Sequence, residues 1–177
     1  GGVPESGHLR RSEAVLSAVR DTGAGGTLAA MATDLTGDAA GIDDFAHLHL
    51  HTQYSLLDGA IRMSDLCGKV KDRGMKAVAM TDHGNMFGAV QFYQQAKAHG
   101  VKPIFGSDVW VVNSLKDDEA HRLTLLAMNE TGYRNLTELI SLAYEKGQNV
   151  LHDRAVILKD WIAAQPEGMI ALSGAKE

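Results

Sequence analysis

The amino-acid sequence predicts an α/β fold built around a mainly parallel sheet. From residue 45 onward, short apolar runs typical of strands alternate with amphipathic runs typical of helices, and several helical runs end at a glycine. Strands that alternate with helices of about ten to fifteen residues are joined by right-handed crossovers, which align the strands in parallel. The 177 residues are enough for one ordinary domain with a buried core.

The composition divides the chain at about residue 44. Residues 1–44 are rich in Gly, Ala, Ser and Thr, and we expect a flexible lead-in with one helix over residues 12–23. No chemistry is assigned to this lead-in. Residues 45–177 hold the alternating pattern and form the expected domain.

The expected elements follow one another in a regular order. Ser64 is the expected N-cap of the first helix of the domain. Gly106 and Ser107 place Asp108 where the chain begins to turn, just before a strand. We expect strands at residues 45–51, 77–80, 109–112, 123–127 and 169–172, and helices at residues 64–74, 87–99, 133–146 and 159–165.

The overall charge and the cysteine content exclude some classes of function. Seventeen basic and twenty-two acidic residues give a net charge of −5, so the chain has no general basic field for a nucleic-acid backbone. The single cysteine, Cys67, excludes an internal disulfide, fits a reducing cytoplasm and is expected to be a buried small hydrophobe. Because no apolar run is long enough to cross a bilayer, we expect a cytoplasmic protein without a membrane partner.

The residues most suggestive of chemistry are the histidines of residues 45–51. His47, His49 and His51 alternate with apolar residues, so a strand here would project all three from one side. Asp58 and His83 add a carboxylate and a further imidazole. This nitrogen and oxygen set suits a borderline divalent metal such as zinc or manganese.

The order of the elements predicts that these residues converge. His49 and His51 end the first strand, His83 follows the second, and Asp108 lies near the start of the third. In barrels of alternating strands and helices, side chains at the carboxyl ends of different strands meet at one site. Residues far apart in sequence are therefore expected to share metals.

Each of these residues also has a structural interpretation. His49 and His51 could form a hydrogen-bonded pair, and Asp58 could be an Asp-Gly turn residue. Asp82 could be a turn former, or it could orient a neighbouring histidine from the second shell. Asp108 could be a turn carboxylate or a metal ligand.

Residues 45–59, 74–88 and 100–104, continued by residues 123–136 and 167–174, closely resemble the polymerase and histidinol phosphatase (PHP) domain. The version they resemble lies at the amino end of bacterial DNA polymerase III alpha subunits. The resemblance implies a seven-stranded β/α barrel, incomplete in this chain, whose strand ends hold up to three divalent metals. It places His49 and His51 at the first two ligand positions, Asp58 at the third and His83 at the fourth, with His47 in support. Such metals activate water to attack a phosphoester.

Three departures from the metal-competent pattern weaken the enzymatic interpretation. Asp108 replaces a Glu, Arg122 replaces a His that is displaced to His121, and Ala175 replaces a Cys. A slip of one residue on a strand turns a side chain to the opposite face, and Arg122 brings a fixed positive charge into the site. We therefore expect about one bound metal at most.

The resemblance implies a module of the replicative polymerase that supports the polymerase. It also implies that the module binds a proofreading exonuclease subunit and other replicase subunits. The carboxylates needed for polymerisation are not found in this sequence. The module would meet DNA only through the parent polymerase. The alternative is a metal-dependent phosphoesterase or 3′–5′ exonuclease.

Overall fold

The computed structural model describes residues 45–116, 119–149 and 154–173. The expected lead-in, with its helix over residues 12–23, lies outside these residues, and so does Ala175. The described elements, in chain order, are α1 (Met63–Asp72), β1 (Ala77–Met80), α2 (Ala89–His99), β2 (Lys102–Val112), β3 (His121–Ala127), α3 (Glu130–Lys146), β4 (Gln148–Asn149), β5 (Arg154–Leu158), α4 (Lys159–Ala164) and β6 (Met169–Ser173).

The α/β class is confirmed, but the expectation of a mainly parallel sheet is wrong. The strand order is β4-β5-β2-β3-β6, and β1 pairs with the first part of β2. β2 runs parallel to β1 and β5, whereas the pairs β2–β3, β3–β6 and β4–β5 are antiparallel. Residues 113–120 are too few for a crossover helix between β2 and β3, so these strands form a hairpin.

β2 is one continuous strand of 11 residues that contains Asp108, so the expected turn before residue 109 is wrong. Gly106 allows β3 to approach closely, because a Cβ there would lie 2.5 Å from the carbonyl oxygen of Leu125. The glycine that suggested a turn is therefore required by strand pairing.

The expected strand at residues 45–51 is replaced by an extended segment that only partly pairs with β1. His47 forms an isolated bridge with Val78, and the Leu50 carbonyl accepts a hydrogen bond of 2.9 Å from the Thr81 amide. The Leu50 amide bonds to the Thr81 hydroxyl, at 2.8 Å, instead of a backbone carbonyl. This side-chain bond interrupts the regular ladder.

The starts of α1 and α3 also differ from expectation. α1 begins one residue before Ser64, whose hydroxyl bonds to Asp65 instead of capping the helix. α3 begins at Glu130 because the Asn129 side chain accepts a hydrogen bond from the Gly132 amide.

Two hydrophobic clusters support the sheet. The first joins α1, β1 and α2 around the fully buried Phe92 and contains Cys67, as expected. The second packs α3 against β2, β3 and β5 through Leu136 and Leu139. In the described part of the chain, none of the helices has the length and apolar composition needed to span a membrane.

Candidate metal centre

Backbone pairing brings the histidine-rich segment, the residues after β1 and the middle of β2 together. Beyond β1 the chain stays beside β2, where His83 forms a parallel bridge with Asp108. The Asp108 amide donates to the Asp82 carbonyl at 3.1 Å, and the Gly84 amide donates to the Asp108 carbonyl at 2.7 Å. The side chain of Asp108 therefore projects next to residues that lie far away in sequence.

Asp108 is the centre of the first cluster. Its Oδ2 atom lies 2.7 Å from Nε2 of His49 and 3.0 Å from Nε2 of His51. Its Oδ1 atom accepts a short hydrogen bond from the hydroxyl of Thr124, which lies opposite Asp108 on β3. Only 3% of the Asp108 side chain is exposed, against 54% for His49. The cluster thus combines the buried carboxylate of Asp108 with the exposed imidazole of His49.

The environment of Asp108 favours its charged form. Burial raises the pKa of this carboxyl, but the hydrogen bonds that it accepts outweigh burial and hold the pKa below its ordinary value of 3.8. Since ionised carboxylates are metal ligands, the group is in the form that a cation requires.

The first cluster fits a divalent metal ion. One ligand atom from each of His49, His51 and Asp108 lies within 4.8 Å of the other two. Two imidazole nitrogens and a carboxylate oxygen form a donor set that zinc accepts, with a further position left for water or substrate. A cation there would replace the ring protons that now bridge to the carboxylate.

A second cluster contains His83, Asp58 and Arg122. Nε2 of His83 lies 2.9 Å from Oδ2 of Asp58. Nη2 of Arg122 lies 3.0 Å from Nδ1 and 2.7 Å from Nε2 of the same ring. Because a guanidinium only donates, His83 is the acceptor in its contact with Arg122.

The second cluster differs from the first because a protein cation contacts its histidine. Burial, followed by the electrostatic influence of the neighbouring His51 and Arg122, lowers the pKa of His83 below its ordinary value of 6.5. A ring nitrogen of His83 accepts the Arg122 hydrogen bond, so that lone pair is engaged with the protein. The structure thus places Asp108 with the first two histidines, and it places Asp58 and His83 beside Arg122.

Asp82 is completely buried and anchors the loop that follows His51. Its carboxylate accepts hydrogen bonds from the amide and hydroxyl of Thr52, at 2.6 and 2.7 Å, and from the hydroxyl of Ser55, at 2.7 Å. No histidine is among these partners in the described chain, so Asp82 orients the site through the loop backbone. At the end of this loop Gly59 packs against the Thr52 backbone. A Cβ there would lie 1.7 Å from the Thr52 carbonyl oxygen, so a larger residue does not fit.

His47 lies apart from both clusters. It is exposed, and its ring packs edge-to-face on Phe45 with the centroids 4.8 Å apart. Its expected supporting role stays a prediction.

Sequence reasoning missed Thr124 and the role of Trp110. Arg122 and Thr124 lie opposite Trp110 and Asp108, respectively, in the β2–β3 pairing. Since side chains two residues apart share a face of a strand, all four side chains belong to one face. Only the register between β2 and β3 could have revealed this shared face, because residues 107–112 and 121–127 carry no sequence motif that indicates it.

Comparisons with known proteins agree with the sequence motifs. The family model described as "PHP domain" matches residues 47–177. The DNA polymerase III subunit alpha of Pseudomonas aeruginosa is 49% identical over 133 residues, covering 75% of this chain and 11% of that protein. The Aquifex aeolicus protein of the same name is 41% identical over 143 residues, covering 73% and 12%. The chain therefore spans about a ninth of the length of these relatives.

The folds of solved proteins are more distant. An amidohydrolase structure from Chromobacterium violaceum is 19% identical, with a TM-score of 0.40, and the match covers 58% of this chain and 35% of that one.

Proposed function

Because the chain belongs to the PHP domain family, we propose that it is the PHP portion of a DNA polymerase III alpha subunit. In this proposal the chain takes part in DNA replication as a structural module that binds other replicase subunits. The similarity to relatives with this name over 75% of the chain supports the proposal. Polymerisation, the nucleotidyltransferase reaction, would belong to other parts of the parent protein.

One observation favours a structural role over hydrolysis, namely the contact between Arg122 and His83. In multi-metal phosphoesterases, paired cations stabilise the attacking and leaving oxygens. Here the guanidinium lies within 3.0 Å of both ring nitrogens of His83, so this imidazole is engaged with a protein cation. Among the described residues, His83 is therefore engaged by Arg122 instead of being available to a second metal.

A single divalent cation, zinc or manganese, would be held by His49, His51 and Asp108. Bound there, it would supply Lewis acidity and a water of lowered pKa. Thr124 and the β2–β3 pairing would orient the Asp108 carboxylate toward the ion, and Asp82 would fix the loop that follows His51.

The proposed partners are the proofreading exonuclease subunit, other replicase subunits and, through the parent polymerase, DNA in the cytoplasm. The net charge of −5 argues against independent binding to a nucleic-acid backbone. The loop that follows His51 exposes apolar side chains, with Leu56 88% and Leu57 99% exposed. Exposed apolar side chains of this kind favour protein contacts.

The partner proposal is tested by mixing the 177-residue chain with the exonuclease subunit encoded in the same genome. Calorimetry and size-exclusion chromatography should show a complex with a Kd in the micromolar range or below. A Leu57→Asp variant should weaken it, and the exposed Leu115→Asp variant serves as control. No complex between the two folded proteins would contradict the proposed docking role.

The second candidate is a metal-dependent phosphoesterase or 3′–5′ exonuclease, which the first cluster favours. The test supplies manganese or zinc and measures phosphate release from a phosphomonoester and shortening of a DNA primer. We expect no turnover above background. Turnover that disappears in His49→Ala but remains in His47→Ala would overturn the structural proposal, because His47 is an exposed histidine of the same segment outside both clusters.

A further inference from the structure

We propose that Arg122 is a built-in cation that holds the place of a second metal ion, so that the chain binds one divalent ion and no more. The inference rests on the proposed metal site of His49, His51 and Asp108, and it adds a reason for the limit of one ion.

The donors of the two clusters do not form one group, because among the described residues only His49, His51 and Asp108 offer ligand atoms that all lie within 4.8 Å of one another. Three imidazoles and two carboxylates lie together, and the His51 and His83 rings are only 4.0 Å apart between centroids. An ion in the first cluster takes three of these donors, which leaves His83 and Asp58 as a separate pair. Arg122 supplies the positive charge for that pair.

Arg122 is held in place by its strand and by aromatic packing. It lies opposite Trp110 in the β2–β3 pairing, and its guanidinium carbon is 5.3 Å from the centroid of the Trp110 ring. Arg154 lies 4.3 Å from the same ring. The β2–β3 pairing and the contact with Trp110 thus direct the guanidinium to His83.

Arg122 opposes a second divalent ion in two ways. Its hydrogen bond uses the lone pair of His83 that a metal would need. Its fixed charge also repels a cation bound to His83 and Asp58, because Arg stays protonated at any physiological pH. Replacement by His removes this charge and adds a nitrogen donor on the same face of β3.

The test counts metal ions. The 177-residue chain and its Arg122→His variant are saturated with Zn²⁺, dialysed and analysed for zinc per chain, and the experiment is repeated with Co²⁺ to record its visible absorption. We expect one more ion per chain in Arg122→His and a more intense Co²⁺ spectrum. The double variant Arg122→His/His83→Ala should return to the wild-type count.

Arg154→His is the matched control, because it exchanges the other arginine that contacts Trp110. It should leave the count unchanged. A folded Arg122→His chain that gains no ion would overturn the inference, and so would a wild-type chain that binds two. If Arg122→His does not fold, Arg122→Met decides: Zn²⁺ affinity at least about tenfold higher supports the inference, and unchanged affinity overturns it.

The inference and the proposed function fail separately. The inference fails if Arg122→His gains no ion or if the wild-type chain binds two, whereas the proposed single-metal site fails if the wild-type chain binds none. The proposed docking role depends on the complex with the exonuclease subunit.

Discussion

Nε2 of His49 lies 2.7 Å from the carboxylate of Asp108, a residue 59 positions further along the chain. This contact joins an exposed imidazole to a carboxylate that is buried in the middle of β2. It also defines which of the candidate ligands belong together, because His51 approaches the same oxygen.

Asp108→Asn should lower the free energy of unfolding by about 2 kcal/mol, because hydrogen bonds to a buried charged group are lost. It should also lower zinc affinity, since a neutral amide is a poor zinc ligand. Urea titration followed by circular dichroism measures the first effect. The exposed Asp72→Asn variant should change stability by no more than about 0.5 kcal/mol, and equal losses in both variants would contradict the assigned role of Asp108.

The lowered pKa of Asp108 predicts a specific loss of stability in acid. The unfolded chain protonates this residue near 3.8, whereas the folded chain protonates it at lower pH. Its contribution is therefore complete above the unfolded value and is lost as the pH falls through the folded value, because the unfolded state binds the proton first. Urea titrations between about pH 5 and 2.5 should show a steeper loss for wild type than for Asp108→Asn. Parallel pH profiles would contradict this prediction.

Asp82→Ala should destabilise the chain by about 3 kcal/mol, because it leaves buried donors of Thr52 and Ser55 without their acceptor. Hydrogen exchange should increase over residues 52–59, which the carboxylate anchors. Asp72→Ala, on the exposed face of α1, is the control and should affect neither quantity. Unchanged exchange in the loop would show that Asp82 does not anchor it.

Two glycine-to-alanine exchanges in helices should have opposite effects. A Cβ on Gly132 would lie 1.7 Å from the Gly168 carbonyl oxygen, so Gly132→Ala should cost about 3 kcal/mol or prevent folding. A Cβ on Gly68 would lie 3.5 Å from Nε2 of His99, an ordinary contact distance, so Gly68→Ala should raise stability by about 0.5–1 kcal/mol. Thermal unfolding compares the two variants, and a stable Gly132→Ala protein would contradict the close packing of α3 on residue 168.

Local patterns predicted most of the elements after residue 60, because helix periodicity and terminating glycines act over short distances. They failed where contacts between distant residues decide the conformation. Gly106 indicated a turn, but it is the position at which β3 approaches β2. The alternation of residues 45–51 indicated a strand, but Thr81 takes the hydrogen bond that a regular ladder would use.

The amino-acid sequence by itself determined the α/β class, the family and the histidine set. Only the tertiary structure decided the grouping of these residues. It joined Asp108 to His49 and His51, and it placed Asp58 and His83 against Arg122. The physical reason is register: alternation indicates which residues share a face of one strand, whereas the distances between side chains on different strands depend on how those strands pair.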